Sequence, residues 1–100
     1  MKAVLALLAL LATASGAPPR TVLIQAMHYG AVPGGLHAGD TLLFVNRDIV
    51  PHTVTARDHS FDAVVQPGQS ARVVLGHAGA IGFYCRFHPA MQGNLAVAPR

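Results

Sequence analysis

The chain has a single cysteine among its 100 residues, so no disulfide can form within it. Charge is also scarce: Asp, Glu, Lys and Arg together make up 11%, every acidic residue is an aspartate, and the one lysine is Lys2. No stripe of clustered Lys and Arg interleaved with aromatic residues occurs, which argues against nucleic-acid binding. Neither a Ser-His-Asp set nor a paired-carboxylate arrangement stands out, so the chain is not expected to be an enzyme. Helical periodicity, internal repeats and low-complexity segments are missing after the first residues. The apolar run from Ala3 to Ala12 is ten residues long, about half of the roughly 20 that a membrane span needs.

That run follows Lys2 and precedes the small residues Thr13, Ala14, Ser15 and Gly16, the pattern of a cleavable secretory signal peptide. A permanent anchor is the competing reading, and Thr13, Ser15 and the Pro18-Pro19 pair weigh against it. The expected organisation is a signal peptide over residues 1–16, cut after Ala14 or Gly16, and one exported domain over residues 17–100 with no membrane attachment. The domain then carries six arginines against Asp40, Asp48, Asp58 and Asp62, a formal charge of +2, which supports no more than a preference for an acidic partner surface. A core this small gains from an added staple. A lone thiol in an oxidising compartment needs an occupant, and a bound metal would shield the sulfur while stabilising the fold.

Short runs rich in Val, Leu, Ile, Phe and Thr recur about every ten residues between Gly, Pro and Asp, which predicts an all-β sandwich. Strands are expected at 21–28, 41–47, 52–57, 70–75, 80–85 and 94–98, with a short one near 36–38. Turns are expected at Pro33-Gly34-Gly35, Gly39-Asp40, Pro67-Gly68-Gln69 and from Gly76 to Gly79. Alternation over 70–75 puts Ala71, Val73 and Leu75 on one face and Ser70 and Arg72 on the other. Phe83 and Tyr84 are expected in the core, and Asp40 and Asn46 at turns. His28, His37, His59 and His77 sit beside turns or strand ends and are expected to be solvent-exposed.

Near the C-terminus the chain reads YCRFHPAMQG, residues 84–93. Cys85, His88 and Met91 supply a thiolate, an imidazole and a thioether from one loop, and two His with one Cys and a distant Met form the donor set of a blue-copper site. The missing imidazole is expected from another strand, and His52 in VPHTV is the best candidate, because Pro51 fixes the backbone just before it. Each residue alone has a plainer reading: Cys85 as a small buried hydrophobe, Met91 as a core filler, His52 as a histidine with its hydrogen bonds met. The joint spacing favours one copper ion held by His52, Cys85, His88 and Met91.

The residues GDTLLFVNRDIVPHTV (39–54) and GFYCRFHPAMQGNLAV (82–97) resemble the cupredoxin family, and the short C-x-x-H-x-x-M loop is most similar to its amicyanin-like members. The resemblance covers about Val22 to Val97. It implies an eight-stranded Greek-key β-sandwich, a type 1 copper on those four residues, periplasmic one-electron transfer, and partners such as an amine dehydrogenase or a c-type cytochrome docking near His88, with the protein a monomer. Copper storage or delivery is the alternative use of the same residues. Two positions depart from the amicyanin pattern. Thr53 stands where Asn follows the first histidine, shortening a tie between the two ligand loops to a hydroxyl. Phe87 stands where proline precedes the loop histidine, and its N–H is expected to give the thiolate a second hydrogen bond and so raise the reduction potential relative to proline.

Overall fold

The computed structural model describes residues 17–100 and is all-β. The expected signal peptide over residues 1–16 lies outside the described residues. Nine strands follow in order: β1 (Arg20–Gln25), β2 (His28–Tyr29), β3 (Leu36–His37), β4 (Thr41–Asn46), β5 (His52–Ala56), β6 (Asp62–Val65), β7 (Ser70–Val74), β8 (Gly79–Tyr84) and β9 (Gln92–Ala98). They build two sheets, β2-β1-β4-β7 and β3-β9-β8-β5-β6. The β1/β4 and β3/β9 pairs are parallel and the other pairs antiparallel. Among the described residues no helix is long and apolar enough to cross a membrane.

The core follows from alternation along the strands. Val22 and Ile24 of β1, Leu42 and Phe44 of β4, and Ile81 and Phe83 of β8 are buried, while the residues between them are more exposed. At the centre Tyr29, Phe44 and Phe83 meet edge to face, with ring centroids 4.7 to 6.2 Å apart, a geometry that the ring quadrupoles favour. Central β5, flanked by β6 and β8, is buried at every residue. It therefore offers a rigid base for whatever its first residue, His52, carries.

Three expectations need correction. The run 21–28 is not one strand, because Ala26 and Met27 take positive φ angles of 54° and 62° and fold it into the β1–β2 hairpin. That conformation suits Asn-Gly pairs and costs a residue with a Cβ roughly 1–2 kcal/mol, so nothing in an Ala-Met pair announced it. Strand β6, which ends two residues before the Pro67-Gly68 turn, is not among the expected strands; with β2 it makes nine strands, where the resemblance implied eight. Phe83 is buried as expected, but Tyr84 is only half-buried, its ring covered by the Arg57 guanidinium 4.6 Å from the centroid.

At the end of β5 away from His52, His77 Nε2 pairs with Asp58 Oδ2 at 2.9 Å. Hydrogen bonds from Ser60, and then from His77, hold the Asp58 carboxyl below its ordinary value of 3.8, and the Ala78 carbonyl, followed by Asp58, raises His77 above 6.5. The lowered Asp58 stabilises the fold above the unfolded value and loses that contribution as pH falls through its folded pKa. The raised His77 contributes fully below 6.5 and loses its share as pH rises through its folded pKa. The pair is therefore most favourable between 3.8 and 6.5. Both side chains are exposed, so the effect is small. His77→Ala is expected to flatten the loss of stability between about pH 6 and pH 8, measured as the shift in urea midpoint; an unchanged slope would show that the pair contributes nothing.

Candidate metal centre

His52 opens β5 opposite Val65 of β6, and Cys85 directly follows β8. The pairing of β5 with β8, Thr55 with Tyr84 and Ala56 with Phe83, brings the two ends together. His52 and Cys85 are both fully buried, with Nδ1 of His52 3.9 Å from Sγ of Cys85. The loop after Cys85 is closed by its own backbone. Cys85 N–H donates to Met91 C=O at 3.1 Å, Met91 N–H to His88 C=O at 2.8 Å, and His88 N–H to Cys85 C=O at 3.2 Å. These bonds set His88 and Met91 beside the cysteine: the His88 ring lies 5.3 Å from the His52 ring, centroid to centroid, and Met91 is buried.

Asp48, counted in the sequence only as one of four acidic residues, is part of the site. Its Oδ2 lies 2.7 Å from His52 Nε2. A carboxylate there draws the ring proton to Nε2 and leaves Nδ1 as a free lone pair facing the cysteine, the arrangement by which carboxylates fix the tautomer of metal-binding histidines. Burial pushes the Asp48 carboxyl up, but hydrogen bonds from Met27 N–H, His52 and Ala26 N–H outweigh it and hold the group below the usual carboxylate range. The signal was available as an acidic residue four positions before the histidine, though only the fold shows that the two meet.

Thr53, expected to offer a tie shortened to a hydroxyl, makes a longer relay. Its N–H donates to Cys85 Sγ at 3.3 Å. Its hydroxyl accepts Arg86 N–H at 2.8 Å and contacts Thr55 Oγ1 at 2.9 Å. Because Thr55 gives its one proton to Asp62 at 2.7 Å, Thr53 must donate to Thr55, and Arg86 Nε closes the ring on the same Asp62 oxygen at 3.1 Å. The hydroxyl thus ties the ligand loop to β5 and β6. On its other side Thr53 C=O accepts Tyr29 Oη–H at 2.6 Å. Burial, and then the nearby Cys85, push the Tyr29 phenol up, so it stays a donor. Thr53→Val keeps the shape but leaves Arg86 N–H unpaired; a loss of about 1–3 kcal/mol is expected in chemical denaturation, and a loss below about 0.5 kcal/mol would mean that water replaces the hydroxyl.

The expected second donor to the sulfur is not present. Among the described residues Cys85 Sγ takes the Thr53 N–H and no hydrogen bond from Phe87 N–H, which removes the basis for a potential raised by Phe87. His28, His37, His59 and His77 are exposed, as expected. Asn46 is buried and bridges Val50 C=O and Val65 C=O, each at 2.9 Å, just before the Asp48 loop. Asp40 holds its turn by accepting His37 N–H at 2.8 Å.

The donor set can be tested for fit to a metal. With metal–sulfur and metal–nitrogen bonds of about 2.3 and 2.0 Å, two donors at a trigonal angle stand about 3.7 Å apart. The His52–Cys85 spacing of 3.9 Å fits that geometry. Among the described residues no three His, Cys, Asp or Glu side chains form a ready cation cage, so the fit rests on the mixed thiolate, imidazole and thioether chemistry that suits copper.

Comparison with known proteins gives the family of the fold. The family model described as a cupredoxin-like domain matches residues 1–97. Amicyanin of Paracoccus versutus is 26% identical over 80 residues, covering 74% of this chain; the chain spans 61% of that relative's length. A solved structure of amicyanin from Paracoccus versutus superposes with a TM-score of 0.69 at 25% identity, covering 83% of this chain and 84% of that one. A reduced proline-to-phenylalanine mutant of amicyanin gives 0.66 at 28% identity, with coverage of 79% and 81%. The Cu(I) form of a methionine-to-alanine mutant of amicyanin gives 0.68 at 26%, covering 86% of each chain.

Proposed function

The chain belongs to the cupredoxin-like domain family, and from that premise we propose that it carries single electrons between redox proteins in the periplasm, using one copper ion held by His52, Cys85, His88 and Met91. The observation that carries this reading is Nδ1 of His52 set 3.9 Å from the buried thiol, with the Asp48 carboxylate on the ring's other nitrogen. A bound copper would supply one-electron chemistry, alternating between Cu(II) and Cu(I) with a thiolate, two imidazoles and a thioether as donors. The protein's part is to hold those donors still. Asp48 orients His52, Thr53 N–H draws electron density from the sulfur, and the three backbone bonds across residues 85–91 resist rearrangement of the loop.

His88 is the half-buried member of the set, and the exposed Pro51, Phe87, Pro89 and Ala90 accompany it. An apolar rim of this kind suits brief docking of a c-type cytochrome or an amine dehydrogenase, since redox encounters use small interfaces. In the same proposal residues 1–16 are an export signal and residues 17–100 the working domain, checked by N-terminal sequencing of the exported product.

Adding Cu(II) to the metal-free protein tests the function. An intense blue colour, reversibly bleached by a reductant, followed by rapid electron exchange with a c-type cytochrome in stopped flow, is the expected result. A pale complex that gives its copper up to a weak chelator would replace electron carriage with copper delivery.

A further inference from the structure

The Ala26–Met27 turn is strained and lies outside the ligand residues, yet both of its amides point at one carboxylate. Ala26 N–H donates to Asp48 Oδ1 at 2.7 Å and Met27 N–H to Asp48 Oδ2 at 3.0 Å. The same Oδ2 receives His52 Nε2–H at 2.7 Å. Next to these contacts Arg47 N–H donates to Ile24 C=O at 2.7 Å, and Asp48 N–H to Asn46 Oδ1 at 2.9 Å, so the backbone on both sides of the carboxylate is fixed. Left-handed φ angles at two successive residues with a Cβ persist only where the surroundings enforce them, and such strain gathers at functional sites.

We propose that the Ala26–Met27 hairpin turn is a positioning element of the metal centre: its two amides set the carboxylate of Asp48, and Asp48 sets the ring of His52. This rests on the proposed role of His52 as a ligand, but the coupling itself belongs to the metal-free protein. Neither amide touches a ligand residue, so the turn acts only through Asp48. Because coupling between sites is reciprocal, loosening the turn frees His52, and removing the carboxylate frees the turn.

The test compares Met27→Val with Met27→Gly. Both lose the methionine side chain, which is 40% exposed, so a difference between them is a backbone effect. Valine resists φ near +62° and glycine accepts it. In the metal-free protein the His52 Nε2–H proton, followed by NMR, is expected to exchange with water about tenfold faster in the valine variant than in the glycine variant. Equal rates, within about twofold, would overturn the proposal. Should Met27→Val fail to fold, Asp48→Asn gives the reverse readout: amide exchange at Ala26 and Met27 should quicken about tenfold while β4 amides stay protected, and unchanged turn amides would equally overturn it. Copper addition to Met27→Gly separates the two readings. Coupling without a blue complex would refute the copper function and leave the turn–Asp48–His52 linkage standing, whereas a blue complex without coupling would do the opposite.

Discussion

Cys85→Ser protein is expected to fold and to give no intense blue colour with Cu(II). The thiolate is the one donor in the set that can form the charge-rich metal–sulfur bond from which such colour comes. Serine at this fully buried position retains an oxygen that can accept the Thr53 N–H now held by Sγ at 3.3 Å, so no backbone group is orphaned and secondary structure should be unchanged. Removing a partner that merely orients a ligand costs about 10–100-fold in metal affinity. Loss of the ligand itself should weaken copper binding by at least about 100-fold. Competition with a chelator of known affinity measures this, with circular dichroism confirming the fold. Cys85→Ser protein that still binds copper tightly with intense colour would remove the thiol from the site and the electron-carrier reading with it.

The parts of the molecule legible in the sequence are those set by local pattern. Alternation along 70–75 placed Val73 and Leu75 inward, as found, and the spacing of Cys85, His88 and Met91 announced a loop whose backbone bonds do bring the three together. What stayed hidden depends on contacts between distant segments. Asp48 is four residues from His52 in sequence, but its importance comes from the amides of residues 26 and 27, which only the parallel pairing of β1 with β4 brings alongside. The hairpin at Ala26–Met27 was illegible for the same reason: its strain is borne by a partner elsewhere in the chain, so local propensity points the other way. Thr53 looked like a weakened tie because a hydroxyl is shorter than an amide. The relay through Thr55 to Asp62 becomes visible only once β5 and β6 lie side by side.

Gly93→Ala should cause the largest loss of stability of any single methyl group added to this domain at a described glycine. Gly93 faces Phe83 across the β8–β9 ladder, and a Cβ built on it would lie 2.3 Å from Phe83 Cζ and 2.8 Å from both Cε atoms. The ring cannot swing clear, since it is fully buried and packed against Tyr29, Phe44 and Phe61 with centroids at 4.7, 5.7 and 6.5 Å. Overpacking of a core costs typically 1–3 kcal/mol, and a clash with a ring hemmed in on every side belongs at the top of that range. A penalty of about 3 kcal/mol lowers Tm by roughly 12–24 °C in a domain of this size. Gly93 stands two residues after Met91 and Phe83 two before Cys85, so the clash lies on the ladder whose last pair, Tyr84 with Gln92, supports the ligand loop. Copper should therefore be lost from Gly93→Ala at a lower temperature than from the parent protein. The double variant Gly93→Ala with Phe83→Leu gives the decisive comparison, because contacting residues that clash show non-additive energies. If space at Phe83 is the cause, adding Gly93→Ala to Phe83→Leu should cost less than about 1 kcal/mol. A Tm for Gly93→Ala within about 4 °C of the parent would mean that the sheets separate easily and that the glycine is not required for the ring to pack.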